Sequence, residues 1–343
     1  MKILNLEGRH LVQAWRNQGH EVLSIGPERA CDIRVSRTLS LSRLWSILRE
    51  YEFFPDLVFW NDNCRPPSVI GFETLPCPCI GFSIDQYCNP WHVPYSAGFD
   101  LMLVAQKDYL QFFGRHPVHP EGRWFPLFCN PDRDWDRGEE RDIPVGFVGT
   151  LDPPLNPERK PFLLRFKEEL SLHMTTGDYV PVFNRCRLVL NQSAAGELNF
   201  RIFQAAACGA AVLTEECGNG LLDLFAPTRE LFVYPRGNIS VATRVCSIVL
   251  ERPHKTAEVA RRGREKVLRQ HSAPVRAREV IRMAREVIRE RTLDRRLGNR
   301  AAVARELAKA YMFLATDKGL PLTLELRHFY LQAAQKYQKA FPG

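Results

Sequence analysis

Residues 199–215 read NFRIFQAAACGAAVLTE. The stretch opens polar and basic, runs through small residues, breaks at Gly209 and ends in a short apolar run. This pattern predicts a helix, a left-handed stop at the glycine, and a strand. Upstream, CRLVLNQS reads as another strand, and Ser193 to Gly196 as the turn between it and the helix. A helix that follows a strand end presents free backbone N–H groups and a partial positive charge, which suits an anion. Asn199 and Arg201 fall in or near its first turn, and Arg offers a planar fork for phosphate oxygens. The alanines allow close packing on a sheet. The same residues also fit a buried helix with a capped terminus and a solvated arginine.

Strand–helix alternation continues on both sides. VGFVGT, CRLVLNQS, AAVLTE and ELFVY are strands, and PERKPFLLRFKEEL is a helix with Pro157 near its start. Helices follow over about 240–250 and 255–270. Toward the N-terminus, MKILNL, EVLSIG, PDLVFW, PCIGFSI and FDLMLVA are short apolar runs bounded by turn residues, with helical spacing in HLVQAWRNQGH and LSLSRLWSILREY. Such alternation predicts parallel sheets covered by helices. The polar stretch CNPDRDWDRGEERDIP suggests a linker. The reading is therefore a Rossmann-like N-terminal domain over 1–130, a linker over 131–143, a second Rossmann-like domain over 144–272 and a helical tail over 273–343. Within the tail, 274–296 reads as one long helix, and two antiparallel helices follow, broken at Gly319 and Pro321. Their alanine and aromatic pattern resembles one tetratricopeptide-like pair. It predicts either a hairpin packed on the body or a docking element for a partner protein.

The chain of 343 residues has no run of apolar residues long enough for a membrane span. Its ten cysteines, with no secretory signal, suggest reduced thiols in a cytoplasm. The net charge of +8 lies largely in mixed-sign helical stretches near the C-terminus. These read as solvated faces or as a surface for an anionic partner, an acidic membrane surface included. No nucleic-acid-binding module accompanies the charge. No phosphate loop with Lys-Ser/Thr and no nucleophile-elbow serine is present, and LNLEGRH is not a dinucleotide fingerprint.

Asn199, Arg201, Phe203 and Ala207-Cys208-Gly209, then AAVLTE, Leu221 and Leu224-Phe225, resemble the C-terminal domain of the spore-maturation (CgeB-like) group of family-1 glycosyltransferases. VGFVGT, ELFVYPRGNIS and ARRGREKVLRQHS extend the resemblance over about 143–272. It implies an α/β GT-B fold: two Rossmann-like domains with a nucleotide-sugar in the cleft between them, held mainly by the second. It implies no metal or other cofactor, because helix amides and basic side chains neutralise the diphosphate. Asn199 and Arg201 would then lie near the diphosphate or ribose, Gly149 and Thr150 would let the donor approach the backbone, and Arg159 and Lys160 would add cations. Gln204 stands where the family usually has a ribose-binding Glu, and Glu197 is a substitute one residue too close.

In the first half, Asp85 follows a strand and is a candidate general base toward an acceptor hydroxyl, or a turn cap. Gly8 would permit close approach of a ligand, and His92 and Glu73 are lesser candidates. The spacing of Cys64, Cys77, Cys79 and Cys88 fits no structural zinc pattern and predicts buried thiols. The resulting expectation is metal-independent transfer of a sugar from a nucleoside-diphosphate-sugar to a protein or surface-glycan hydroxyl. The alternatives are a non-catalytic GT-B scaffold acting through its tail and a nucleotide-sugar epimerase.

Overall fold

The computed structural model describes residues 1–152 and 156–340. Residues 153–155, in the loop ahead of Arg159, and the tail residues 341–343 lie outside the described residues. The chain forms two compact units, Met1–Phe125 with Ala277–Gly343, and Pro126–Arg276.

The first unit holds β1 (Lys2–Glu7), α1 (Val12–Asn17), β2 (Glu21–Gly26), β3 (Ile33–Arg34), α2 (Leu41–Glu50), β4 (Leu57–Asn61), β5 (Cys79–Ser83), α3 (His92–Tyr95), β6 (Leu101–Val104) and β7 (Gly122–Trp124). The seven strands make one parallel sheet in the order β3-β2-β1-β4-β5-β6-β7. Strands β4, β5 and β6 are buried along their whole length, as expected of a parallel sheet covered on both faces. Ser40 caps α2 by accepting from the Arg43 amide, the local reason that helix starts there.

The second unit holds β8 (Ile143–Val148), α4 (Arg159–Glu169), β9 (His173–Thr175), α5 (Val180–Arg185), β10 (Cys186–Asn191), α6 (Phe200–Ala207), β11 (Ala211–Glu215), α7 (Leu221–Leu224), β12 (Phe232–Tyr234), α8 (Ile239–Leu250) and α9 (Pro253–Gln270). Its parallel sheet runs β12-β11-β10-β8-β9. Chain order reverses between β8 and β10, and ligands of open α/β sheets bind beyond the carboxyl ends of strands at such a point. The opening stretch folds as read. Asn199 is the N-cap, α6 buries Ile202, Phe203 and Ala205–Ala207, and Gly209 turns the chain with φ +81°.

Two boundaries differ from the sequence reading. Residues 131–143, taken as a linker, belong to the second unit. Asp134 there accepts from the Tyr179 hydroxyl at 2.7 Å, and Arg141 donates to the carbonyls of Phe183, Cys186 and Cys208. A polar stretch can be fixed by long-range hydrogen bonds that composition does not reveal. The tail belongs to the first unit from Ala277 onward. The long helix expected over 274–296 is two helices, α10 (Ala273–Arg289) and α11 (Leu293–Gly298). Arg291 stands between them at φ +54°, a left-handed conformation that stops a helix without glycine or proline to announce it. The hairpin helices are α12 (Arg300–Thr316) and α13 (Leu324–Ala340). Val303, Leu307, Tyr311, Leu314 and Tyr330 join one core with Trp60, Phe72, Tyr95 and Phe99. The hairpin is thus part of the body, with its apolar face already covered.

At the carboxyl end of β1, Glu7 is fully buried, and its carboxylate accepts from the Ser68 amide and hydroxyl at 2.5 and 2.8 Å. Burial outweighs these bonds and pushes its pKa from 4.5 up to about 7. The folded state therefore holds this proton more tightly than the unfolded chain. The associated stability is complete below pH 4.5 and is lost as pH rises through 7. The rise from 4.5 to about 7 corresponds to about 3 kcal/mol. In Glu7→Gln, which keeps an acceptor for the amide, that loss between pH 4.5 and 8 is expected to vanish. Urea unfolding at several pH values checks this, and an unchanged slope in the variant would refute it.

Candidate functional site

The chemistry-bearing residues of the second unit meet at its strand-order reversal. Arg201, in the first turn of α6, turns its guanidinium inward over the carboxyl ends of β8 and β10. Nε donates to the Val148 carbonyl at 2.9 Å and Nη1 to Asn191 Oδ1 at 2.7 Å. The guanidinium lies 4.4 Å from the Phe147 ring centre, a cation–π contact. Asn191 is held in turn, its Nδ2 donating to Thr214 Oγ1 at 2.9 Å. Arg159, 8% exposed at the start of α4, reaches the same place. Its Nε donates to Gln192 Oε1, Nη1 to the Thr150 carbonyl and Nη2 to the Gln192 carbonyl, at 3.0–3.2 Å. It too lies over Phe147, 5.7 Å from the ring centre.

Two arginines thus share one aromatic ring. Every hydrogen bond of Arg201 goes to a neutral oxygen, and its Nη2 has no partner among the described residues. Burial first, and then the Arg159 charge, pull the Arg201 pKa down to about 9. An anion placed beside the two guanidinium groups would relieve that repulsion. The N-terminus of α6 adds donors, because Asn199 makes no side-chain cap and its Oδ1 is buried without a partner. Arg236 was not singled out from the sequence. It extends over the same loop, where a Cβ on Gly196 would lie 2.7 Å from its Nη1. Its position just after β12 was the one sequence signal that could have found it.

Residues 137–282 match the family model described as glycosyl transferase-like. No curated protein matches the chain in sequence. Among solved structures, Anabaena HepE with UDP-glucose aligns at 13% identity and TM-score 0.60, covering 83% of this chain and all of that one. Sucrose-phosphate synthase from Thermosynechococcus elongatus aligns at 12% identity and TM-score 0.57, covering 84% and 100%. A glycosyltransferase from Rickettsia africae aligns at 10% identity and TM-score 0.56, covering 84% and 98%.

The fold is GT-B.

The structure shows what the other expected residues of this GT-B chain touch. A Cβ on Gly149 would lie 2.4 Å from Arg201 Nη2 and 3.2 Å from the Phe147 ring. The missing side chain makes room for the arginine. Thr150 contributes its carbonyl to Arg159. Lys160, adjacent to buried Arg159, points outward to Asp152 at 2.9 Å with its side chain 49% exposed. Glu197 accepts from the Ala194 and Ala195 amides at 2.9 and 2.7 Å, so its carboxylate braces its own turn. Gln204, one turn beyond Arg201, has no side-chain hydrogen bond among the described residues and is only half-buried.

In the first unit, Gly8 also makes room for the chain itself. Its amide donates to the Asn61 carbonyl at 2.7 Å, and a Cβ would come within 2.9 Å of that oxygen. Asp85 lies two residues beyond β5, accepting from the Tyr87 hydroxyl at 3.1 Å and the Cys64 thiol at 2.5 Å. His92 and Glu73 are core residues. His92 is fully buried against Ser83 Oγ at 2.9 Å, and Glu73 accepts from the Tyr337 hydroxyl at 2.6 Å. Burial holds His92 uncharged and Glu73 above its ordinary pKa. Cys77 and Cys79 are buried as expected, whereas Cys64 and Cys88 are exposed, both bonded to Asp85. Cys64 sits in a left-handed turn (φ +60°) within the polar stretch NDNCRPPS.

No described helix is long and apolar enough to cross a membrane.

Proposed function

We propose that this protein is a glycosyltransferase, of the family-1 type and akin to the CgeB-like group, that takes a sugar from a nucleoside-diphosphate-sugar. The observation that carries the reading is the Arg201–Arg159 pair over Phe147, at the strand-order reversal of a domain that matches a glycosyltransferase family model. Two cations beside the first turn of α6 suit a diphosphate in charge, and they would stabilise the negative charge that develops as the nucleoside diphosphate departs. HepE, solved with UDP-glucose and with UDP and glucose, supports a uridine donor as the first to test. Arg201 and Arg159 supply the neutralising charge, so transfer needs no metal in this reading. Asp85 is the proposed base toward an acceptor hydroxyl on a protein or glycan, and the free thiols fit a cytoplasmic setting.

The test is a thermal-melt panel with UDP, GDP, CDP, dTDP and ADP in EDTA, followed by a transfer assay with the donor that shifts the melt. A shift with one nucleoside diphosphate is expected. No shift at millimolar concentrations would sink the proposal. In Gly149→Ala the new Cβ displaces the Arg201 fork, and the loss of one charge-assisted bond is expected to weaken that nucleotide by about tenfold. Isothermal titration checks it, and unchanged affinity would show that Arg201 does not touch the ligand.

Two observations favour a second reading, a binding scaffold with a weakened site. Gln204 replaces the usual acid, and Glu197 is held by its own turn. Under that reading Gln204→Glu raises donor affinity. Under the first it lowers activity.

A further inference from the structure

We propose that His116, His119 and Glu306 bind one divalent cation of the zinc class. Their ligand atoms lie within 4.8 Å of one another. Glu306 Oε2 is 3.0 Å from His119 Nε2, and Oε1 is 3.8 Å from His116 Nε2. Two ligands about 2 Å from a tetrahedral ion stand roughly 3.3 Å apart, so small side-chain rotations close the site. All three residues belong to the first unit, apart from the arginines assigned to the donor.

The surroundings suit a cation at Glu306. Glu306 is only 5% exposed, on a face of α12 whose neighbours Val303 and Leu307 are core residues. A buried carboxylate needs strong compensation. Lys309 and His119 both hydrogen-bond to it. His119 faces Glu306 through Nε2, and on binding a cation that nitrogen gives its lone pair while the ring proton sits on Nδ1. Two imidazoles and one carboxylate suit zinc, whereas calcium and magnesium prefer oxygen alone. The His116 side chain is 44% exposed, leaving the fourth position to water. Lys309 now pairs with Glu306, but its side chain is 66% exposed and free to swing into solvent when a cation arrives. The ion would tie the loop before β7 to α12, across 187 residues of sequence.

The full-length chain, without a histidine tag, would be stripped with a chelator and titrated with zinc sulfate against a chromophoric chelator. Cobalt chloride would be added in parallel. We expect one zinc per chain, a higher melting temperature, and visible cobalt bands typical of four-coordination. Glu306→Gln and His119→Ala should weaken binding by more than about 100-fold, beyond the loss of an outer-shell partner. His116→Ala, at an exposed position, tests the same point without risk to the core. Lys309→Ala should tighten binding, because it removes the competing cation. A wild-type chain that binds no stoichiometric zinc would overturn the proposal. So would zinc binding that survives both His116→Ala and Glu306→Gln.

Discussion

Replacing Arg201 by alanine is expected to lower kcat/KM for sugar transfer by about 100- to 1000-fold, the usual cost of removing one preorganised donor from a developing charge. The physical reason lies in how the side chain is held. Val148, Asn191 and the face of Phe147 fix the guanidinium, and Nη2 has no partner among the described residues. Little reorganisation is then needed when charge develops on the leaving diphosphate. Arg201→Lys keeps a charge but loses the planar fork and its stacking on Phe147, so it should recover only part of the rate. Steady-state kinetics with donor and acceptor supplied would separate the effects. A fall in kcat marks transition-state stabilisation, and a rise in KM alone marks uniform binding. An alanine variant with full activity would remove Arg201 from the site.

Asp100→Asn is expected to destabilise the first unit by about 3–5 kcal/mol, because it strands a buried guanidinium. Arg296 lies on α11 with its side chain 1% exposed, and Asp100, just before β6, is fully buried at its side chain. Their bonds are 3.0 Å from Nε to Oδ1 and 3.1 Å from Nη2 to Oδ2. Arg296 also donates to the carbonyls of Glu73, Leu75 and Cys77, while Asp100 accepts from the Cys79 amide at 2.8 Å. One ion pair therefore satisfies several backbone groups that no regular element serves. An asparagine keeps the shape and an acceptor but not the charge. Two units need not melt in one step, so the shift should appear in one calorimetric transition only. Adding Arg296→Met should restore part of the loss by removing the stranded charge. A single Asp100→Asn variant with unchanged melting would show that the carbonyls alone suffice.

The sequence by itself determined what depends on neighbours a few residues away. The alternation of apolar strands and amphipathic helices fixed the α/β class. The small residues of α6 and the stop at Gly209 were legible, because period and turn chemistry are local. Arg201 and Arg159 were legible as candidates for the same reason, each lying at a helix start. Only tertiary structure decided where those groups point. Arg159 turns inward and Lys160 outward, although they are adjacent, because successive helix positions face different surroundings. Gly8 and Gly149 make room for the chain itself, and only the packing decides what a missing Cβ would have met. Glu197 is taken by its own turn, and Cys64 and Cys88 meet at Asp85 from separate loops. The histidines and Glu306 come together across most of the chain. Backbone periodicity is a short-range property, whereas the partner of a charge is set by which distant segments the fold brings beside it.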